Sequence, residues 1–416
     1  MQRADVLKEA WRQVATNDGG AGVDGVTIAS LKSDPQKEAQ WLDSLKTELR
    51  DKSYQPSSVR RVYIPKANGG RRPLGIPTVK DRVIQTAVYM VLMPIFEADF
   101  HPRSYGFRPK RSAIQAMEEI TSAMRGGRNE VVDADISKYF DMIPHRELLR
   151  DVARRVSDGM ILKLIKSWLK APIMEECGRG HAMRASKRGT PQGGGISPLL
   201  ANIYLHPLDK VVNEQCEKKP IMVRYADDLV ILCRCDEGEE LKERLAHWLN
   251  RRGLELNTEK TRIVKSWQEG FDFLGFSVRW QRSGRTKRLY THTEPSARSK
   301  QALRNRIREL TCRGTTWRIT GEMVKRINAS VRGWGAYFDK IQGYRSLKQM
   351  NFFIAHRLRQ WLWNKHGKPN GKFQRWKDRT LAEQYGLYQL PTCPKEIMRS
   401  EKGTRKAGCE KIARPV

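Results

Sequence analysis

Two adjacent carboxylates stand inside the stretch Arg224-Tyr225-Ala226-Asp227-Asp228-Leu229-Val230-Ile231-Leu232. Apolar residues precede it at 221–223, and an apolar, β-branched run follows the acids, a pattern that predicts two strands joined by a tight turn. Neighbouring aspartates repel each other, so a fold tends to place them together only where a cation lies between them. Mg²⁺ suits such a site because it binds a few carboxylates together with substrate phosphates. Taken alone, the stretch is more typical of a solvated acidic turn.

The composition of the chain points to a nucleic-acid partner. Its 416 residues contain 78 Lys and Arg against 46 Asp and Glu, a formal net charge of +32. A surplus of that size favours nucleic acid, with a membrane surface as the rival. The longest apolar run, residues 88–96, contains Pro94 and is too short to cross a bilayer, so no membrane partner is expected. The N-terminus lacks a signal-peptide pattern, which predicts a cytoplasmic protein, and no C-x-x-C pair indicates a zinc site.

Hydrophobic periodicity predicts alternating helical and extended segments. Helices are predicted around 41–49 and at 81–96, 112–124, 147–170, 198–212 and 239–251. Extended segments are predicted as a hairpin over 59–76 that turns at Asn68-Gly69-Gly70, a buried strand at 130–136, and short strands at 260–264 and 271–280. The N-terminal part, residues 1–52, is mainly helical, and the pattern changes again at about residue 297. We therefore expect boundaries near these two positions.

The positive charge is concentrated at the C-terminal end. Residues 297–416 hold 28 Lys and Arg against 8 Asp and Glu. A solvated helix face mixes both signs, so this one-sided excess favours contact with nucleic acid. The tryptophans of this part are interleaved with the charges, and core packing is the alternative role for them, above all for Trp334 and Trp361.

A second acidic segment lies upstream, at Val131-Val132-Asp133-Ala134-Asp135-Ile136-Ser137-Lys138-Tyr139-Phe140. Strand alternation places Asp133 and Asp135 on one face, so either carboxylate is able to join the acids of the hairpin. Asp135 is preferred because Phe140 follows it at the fifth position. One carboxylate from such a strand and one or two from a hairpin form the clamp that two-metal phosphoryl transfer requires.

Asp-x4-Phe followed by Tyr-Ala-Asp-Asp resembles the palm of a reverse transcriptase. Further blocks narrow the resemblance to bacterial group II intron-encoded reverse transcriptases/maturases, in order and over roughly residues 10–365. They read Gly22-Val23-Asp24-Gly25, Arg60-Arg61-Val62-Tyr63-Ile64-Pro65-Lys66, Leu74-Gly75-Ile76-Pro77-Thr78-Val79-Lys80-Asp81-Arg82, Ser104-Tyr105-Gly106-Phe107-Arg108-Pro109, Gly189-Thr190-Pro191-Gln192-Gly193-Gly194 and Phe273-Leu274-Gly275-Phe276.

The resemblance implies an α+β, right-hand polymerase fold. Its parts would be an N-terminal extension with a Gly-rich loop (1–52), fingers and a palm with an antiparallel sheet (53–296), a helical thumb called domain X (297–366), and a basic, DNA-binding-like tail (367–416). Many members end in an endonuclease with paired C-x-x-C motifs. Cys393 and Cys409 do not supply that pattern, so no endonuclease module is expected.

The resemblance also assigns the catalytic residues and the metal ligands. Asp135, Asp227 and Asp228 would be catalytic and would hold two Mg²⁺ ions together with the backbone carbonyl of Ile136. Asp227 is expected to bridge the two ions, with Asp228 contributing less. Lys260 resembles the palm lysine proposed to protonate pyrophosphate, although a solvated surface lysine is the alternative.

Several residues are implied to bind the nucleotide, the primer or the RNA. Lys66 and Arg72 would grip the triphosphate of the incoming nucleotide. Phe140 would lie under its sugar and select deoxynucleotides, Gln192 would contact the nucleotide and the template, and Ala226 would contact the primer end. Leu274 and Gly275 would lie under the primer backbone. In the thumb, RNA contacts are expected at Arg332, Trp334, Arg357 and Arg359.

The function implied is that of an RNA-directed DNA polymerase encoded by a group II intron. It would bind the intron RNA to assist splicing and copy it into cDNA during retrohoming. Its partners would be the intron RNA, dNTPs, an RNA template with a DNA primer, and a DNA target, which places it in the bacterial cytoplasm at the nucleoid. The alternatives are a host-adopted enzyme of defence or repair, a splicing-only maturase, and an RNA-dependent RNA polymerase. Retention of Asp135, Asp227 and Asp228 argues against the second alternative, and Phe140 argues against the third.

Overall fold

The computed structural model describes residues 3–65, 70–177, 180–191, 193–284, 286–338, 343–367, 370 and 372–392. These residues divide into two compact units. Unit 1 comprises the residues up to 123 together with 127–263, and unit 2 comprises 124–126 together with the residues from 264 onward. The four-part division expected from the sequence stays a prediction.

Unit 1 contains most of the helices and two of the sheets of the described chain. The helices are α1 (Ala4–Asn17), α2 (Ile28–Lys32), α3 (Pro35–Arg50), α4 (Val79–Glu97), α5 (Ala113–Arg125, whose end belongs to unit 2), α6 (Tyr139–Met142), α7 (His145–Ala153), α8 (Gly159–Lys170), α9 (Ser197–Lys210) and α10 (Gly238–Arg251), with a π-helical turn at Val211–Gln215 after α9. The strands are β1 (Val59–Pro65), β2 (Arg71–Ile76), β3 (Glu130–Asp135), β4 (Ile173–Cys177), β5 (Gly180–Arg184), β6 (Ile221–Tyr225) and β7 (Asp228–Cys233), and β8 (Arg262–Lys265) begins at the end of this unit.

The first sheet is built around the predicted basic hairpin. Its strand order is β2-β1-β4-β5, and β1 and β2 pair antiparallel with Ile64 opposite Arg72. The antiparallel pairing of β1 and β2 is confirmed. Strands β4 and β5 were not predicted, because residues 173–184 show no apolar alternation, although glycines at 178 and 180 offer a turn signal.

The second sheet, called the acidic sheet below, has the order β6-β7-β3-β8. Strands β6 and β7 form the predicted hairpin, and β3 pairs antiparallel with β7. Val131 and Val132 of β3 are fully buried, as expected for a central strand that is covered on both faces, because successive side chains point to opposite faces. The core of unit 1 joins this sheet to residues of α1, α3, α4, α8, α9 and α10.

Buried polar contacts connect the N-terminal helices to α4. Thr78 caps α4 by accepting a hydrogen bond from the Asp81 amide at 3.1 Å. The buried carboxylate of Asp81 accepts from the Tyr54 hydroxyl at 2.5 Å, and burial raises its pKa. Arg82 donates to the Gly20 carbonyl of the Gly-rich loop at 2.8 Å. The conspicuous residues 78–82 therefore serve to hold the framework of unit 1.

Two predicted helices differ in the structure. The single helix predicted at 147–170 is two helices, α7 and α8, because the Asp158 side chain accepts from the amides of Met160 and Ile161 and starts a new helix there. The helix predicted to begin at Pro198 starts at Ser197 and passes into the π-helical turn.

Unit 2 consists of a small sheet and basic helices. Its strands are β9 (Phe271–Phe273), β10 (Phe276–Arg282) and β11 (Leu289–Pro295), in the order β11-β10-β9. Its helices are α11 (Ala297–Leu310), α12 (Thr320–Tyr337), α13 (Tyr344–Lys365), α14 (Lys372–Arg375) and α15 (Asp378–Glu383). The strand predicted at 271–280 is interrupted because Leu274 and Gly275 have φ values of +50° and +79°. In the described part of the chain, no helix has the length and apolar character needed to cross a membrane.

Candidate active site

The acidic sheet brings the three predicted carboxylates together. Asp135 ends β3 and lies directly opposite Asp228, the first residue of β7, while Asp227 occupies the turn between β6 and β7. Asp133 lies two residues earlier on the same strand face, opposite Val230, and its carboxylate is 3.1 Å from the Arg262 Nε. The structure therefore places Asp135, and not Asp133, in register with the acids of the hairpin.

The electrostatics of the cluster are those of crowded like charges. The pKa of Asp228 is raised to about 6, first because the surrounding protein withdraws water from its carboxylate and then because Asp227, Asp135 and Asp133 are nearby. One edge of Asp228 nevertheless stays open to solvent. Burial likewise raises the pKa of Asp227, and the charge of Arg72 partly offsets this effect. Arg72 of β2, itself exposed, is thus within electrostatic reach of the acids.

Asp135 is held by two polar side chains from the segment after α10. The Asn257 Nδ2 donates to its Oδ2 at 3.0 Å, and the Lys260 ammonium lies 3.1 Å from the same oxygen. The backbone carbonyl of Asp135 also accepts from the Asn257 amide at 2.8 Å. Ile136, the next residue, is buried and bridges to Leu256. This segment fixes the carboxylate and places a cation on it.

The donor set fits Mg²⁺, although within the described ranges no three His, Cys, Asp or Glu side chains are arranged as a metal-binding group. Mg²⁺ prefers carboxylate and carbonyl oxygens, and Asp227 and Asp228 supply carboxylates whose pKa values are raised, first by burial and then by the neighbouring acids. The ammonium of Lys260 already neutralises Asp135 in the way that a metal ion would.

The tip of the hairpin is packed against the loop that precedes α5. Ala226 is buried and has a φ of +60°, a conformation that matches the tight turn. Gly106 approaches so closely that a Cβ there would lie 2.2 Å from the Ala226 nitrogen. Only glycine permits this approach. The Ser104–Gly106 segment therefore forms the floor beneath the hairpin tip.

A buried arginine holds this hairpin from the inside. Arg224 is fully buried and ion-paired with the buried Asp209 at 2.5 Å. Its guanidinium also donates to the Asn202 Oδ1 at 2.9 Å, the Ala226 carbonyl at 2.9 Å and the Ser104 hydroxyl at 2.7 Å. A buried charge is tolerated when it is paired and hydrogen-bonded in this way. The network anchors the turn that carries Asp227.

Phe140 lies near the acids and is fixed through its backbone. Its carbonyl accepts from the Thr190 amide at 2.7 Å, and its half-buried ring packs edge-on against Tyr139 and Phe107 with centroid distances of 5.4 and 6.4 Å. The Gly-rich loop after β5 thus touches Phe140, and at Gly193 it comes so close to β2 that a Cβ would lie 2.4 Å from the Gly75 carbonyl oxygen. Lys66 and Gln192, predicted for this region, fall outside the described residues.

In unit 2, Leu274 and Gly275 form a tightly held connection between β9 and β10. The Leu274 carbonyl accepts from the Tyr337 hydroxyl at 2.9 Å, and the Gly275 carbonyl accepts from the Ser299 hydroxyl at 3.0 Å. The predicted primer contact at these two residues stays a prediction.

The four predicted thumb contacts occupy different environments. Arg332 is exposed, with its guanidinium 5.2 Å from the centre of the Tyr388 ring. Trp334 is half-buried against Phe338. Arg357 is half-buried and donates to Thr311. Arg359 is buried, donates to the Trp376 carbonyl at 2.6 Å and pairs with Asp378, so its guanidinium serves the packing of unit 2.

Sequence reasoning missed several residues of the site. Arg224 preceded the acids in the quoted stretch, but nothing in the local pattern shows that it is buried. Its partners Asp209, Asn202 and Ser104 belong to other segments. Asn257 had no local signal in the sequence, and it reaches Asp135 because its neighbour Leu256 bridges to Ile136. Phe107 was quoted without a role.

Comparison with protein families identifies the class of this fold and site. Residues 64–278 match the family described as "Reverse transcriptase (RNA-dependent DNA polymerase)". The α+β architecture with an acidic antiparallel sheet is accordingly that of a right-hand polymerase. Residues 300–381 match the "Group II intron, maturase-specific domain".

Three individual relatives show which kind of reverse transcriptase this chain resembles. The chain is 35% identical to protein YkfC of Escherichia coli over 361 residues, which covers 76% of this chain and 91% of that protein. It is 31% identical to the group II intron-encoded protein LtrA of Lactococcus lactis over 350 residues, 69% of this chain and 57% of LtrA. A putative COX1/OXI3 intron 1 protein of Saccharomyces cerevisiae is 28% identical over 67% of this chain and 39% of its own length. This chain belongs to the group II intron-encoded reverse transcriptase/maturase family.

Proposed function

We propose that the chain is an active RNA-directed DNA polymerase that copies group II intron RNA into cDNA and binds the same RNA to assist its splicing. The observation that carries the proposal is the register of Asp135 with Asp228 beside Asp227, three carboxylates in one cluster in which burial and mutual repulsion raise the pKa of Asp228. A protein that only bound RNA would gain nothing from this repulsion.

The proposed reaction joins the 3′-hydroxyl oxygen of a DNA primer to the α-phosphorus of a dNTP and releases pyrophosphate. Asp135, Asp227 and Asp228, with the Ile136 carbonyl, would hold two Mg²⁺ ions. When bound, these ions supply a lowered pKa for the primer hydroxyl and compensation of the negative charge that develops on the phosphate oxygens. The three aspartates set where the primer end and the triphosphate meet, and the network around Arg224 holds that geometry.

Other residues of unit 1 would act on the nucleotide. Arg72 would bind the triphosphate, because its charge lies within reach of the acids while its side chain is exposed. Lys66 and Gln192 keep the roles expected from the sequence, and Phe140 would exclude the ribose hydroxyl. Lys260 would leave Asp135 as Mg²⁺ binds and would then be free to protonate the pyrophosphate.

The basic helices of unit 2 would bind the intron RNA, and the tail would contribute to binding the DNA target. Exposed cations such as Arg332 support this assignment, since recognition of RNA rests largely on phosphate charge, shape and stacking. Intron mobility would place the protein at the bacterial nucleoid. We propose roles in splicing and retrohoming, and binding of a DNA target, for this chain, which spans 57% of the length of LtrA.

The direct test is primer extension by the purified chain on an RNA template annealed to a DNA primer, with the four dNTPs and Mg²⁺. The expected result is full-length cDNA that requires all three components. Tight binding of intron RNA without any extension would instead indicate a maturase that acts only in splicing.

A further inference from the structure

Phe107 has a conformation and an exposure that the site as described does not explain. Its φ is +57°, a value that is a genuine outlier for a bulky residue, and 44% of its surface is exposed. A strained backbone and an apolar ring in water both oppose folding. Strain of this kind persists only where the surrounding structure imposes it, and it is concentrated at functional sites.

The residues on both sides of Phe107 impose this conformation. The Gly106 carbonyl accepts from the Asn202 Nδ2 at 2.8 Å. Arg108, which is 6% exposed, pairs with Glu97 at 2.8 Å and donates to two carbonyls of the same loop. Phe107 is therefore held between two buried anchors while its own ring is left outside the core.

The ring lies at the candidate active site. Its centroid is 6.4 Å from that of Phe140, with the two planes at 75°, an edge-to-face geometry that aromatic pairs favour. The preceding residue, Gly106, abuts the Ala226 nitrogen at the hairpin tip. The loop that carries this exposed ring thus contacts both the residue proposed to select the sugar and the turn that carries the acids.

We propose that Phe107 is a specificity-determining residue, the second aromatic wall of the pocket for the nucleotide sugar. The ring would face the sugar and fix the angle of Phe140. A deoxyribose presents a CH₂ group to such a wall, whereas the 2′-hydroxyl of a ribose would lose its water without gaining a hydrogen bond. This inference rests on the proposed polymerase function and assigns part of its substrate selection.

The decisive variant is Phe107→Gly. Glycine adopts a positive φ without strain, so this change removes the ring and relieves the backbone at the same time. We expect a melting temperature equal to or above that of the wild type. The preference for dUTP over UTP, two nucleotides that differ only in the sugar, should fall about two- to tenfold in single-nucleotide primer extension, the factor that one edge-to-face contact supplies.

Two further variants separate the ring from general effects. Phe107→Tyr keeps the wall and should retain most of the preference. Phe352→Ala removes another exposed phenylalanine, in α13, and should leave the preference unchanged. An unaltered preference in Phe107→Gly, or a large loss of stability typical of a core phenylalanine, would overturn the proposal.

Equilibrium binding of dUTP and UTP to the enzyme with a primer–template ended by a dideoxynucleotide separates this inference from the polymerase proposal. If the wild-type chain prefers dUTP in binding, Phe107→Gly weakens that preference and no cDNA is made, the polymerase proposal alone is defeated. A chain that makes cDNA while Phe107→Gly discriminates as the wild type does would defeat the inference alone.

Discussion

Asp135 and Asp228 are direct partners across the antiparallel pair β3–β7, so two carboxylates face each other at the end of the two central strands of the acidic sheet. Like charges in this position destabilise a sheet. The pKa of Asp228 is raised to about 6 from its ordinary 3.8, first by burial and then by the charges of Asp227, Asp135 and Asp133. The stability of the unliganded protein should therefore depend on the protonation of Asp228.

Asp228→Asn should stabilise the metal-free protein at neutral pH. Because the folded-state pKa of Asp228 is the higher one, the folded chain binds more protons than the unfolded chain between about pH 4 and 6, and the free energy of unfolding falls as the pH rises through that window. The Asp228→Asn variant has no carboxylate at this position, so its free energy of unfolding does not fall in this window. Melting temperatures measured without metal should therefore diverge from about pH 4 to 6 and stay apart above pH 6, with the variant higher.

Asp43→Asn, at an exposed aspartate of α3, is the matched control for this experiment and should show no such divergence. Adding Mg²⁺ at pH 7.5 should raise the melting temperature of the wild type more than that of Asp228→Asn. Identical pH profiles of the melting temperature for the wild type and Asp228→Asn would show that the Asp228 charge does not destabilise the folded protein.

Asp227→Ala should abolish cDNA synthesis while leaving the affinity for intron RNA near normal. The change removes one of the proposed metal ligands from the turn, whereas the proposed RNA surface belongs to unit 2. Primer extension and filter binding on the same preparation measure the two activities. If both are lost together, the variant has damaged the fold and does not report on catalysis.

The hairpin of acids was predictable because its signal is local. An apolar run, a turn and a β-branched run within nine residues define the two strands, and alternation places Asp133 and Asp135 on one face. The choice between Asp133 and Asp135 needed the register with β7, which is a contact across about a hundred residues. The sequence preference for Asp135 rested on Phe140 and agrees with that register.

The residues that hold the site in place were not predictable, because they act through polar contacts between segments that are distant in the sequence. Arg224 looked like one more basic residue in a chain with 78 of them, and its burial depends on Asp209, Asn202 and Ser104 meeting in space. The positive φ of Phe107 is equally invisible in the sequence, since phenylalanine is among the residues that avoid it. Tertiary contacts determine both the burial of Arg224 and the backbone conformation of Phe107.

Arg224→Met should reduce the free energy of unfolding by about 3–5 kcal/mol, because it leaves the buried carboxylate of Asp209 without a partner. The double variant Arg224→Met/Asp209→Leu should recover part of the loss, since no uncompensated charge remains. Urea denaturation measures both. Arg12→Met, which breaks the exposed pair with Glu9, should cost under about 1 kcal/mol. A similar small cost for Arg224→Met would mean that the network does not anchor the hairpin.

Phe140→Ala should admit ribonucleotides. The Thr190 amide fixes the backbone of Phe140, and removal of its half-buried ring opens space that the 2′-hydroxyl can enter. A fitted pocket discriminates one small group by about 10- to 200-fold, and the ratio of kcat/KM for dUTP and UTP should fall by a factor in that range. Phe140→Tyr keeps the bulk and should keep the discrimination. An unchanged ratio in Phe140→Ala would remove this residue from the assigned role.

The affinity for intron RNA should fall steeply with salt, since phosphate contacts release counterions. The logarithm of the binding constant should decrease linearly with the logarithm of the salt concentration, with a slope of roughly −0.7 to −0.9 for each neutralised phosphate.

Arg332, exposed on α12, is a candidate for one such contact, whereas Arg359 is buried and paired with Asp378. Arg332→Gln should therefore make the slope shallower by about one unit. Arg12→Gln, an exposed change in unit 1, should leave it unaltered. A slope near zero for the wild type would contradict the assignment of the basic helices to RNA, because binding through phosphate contacts weakens as salt is added.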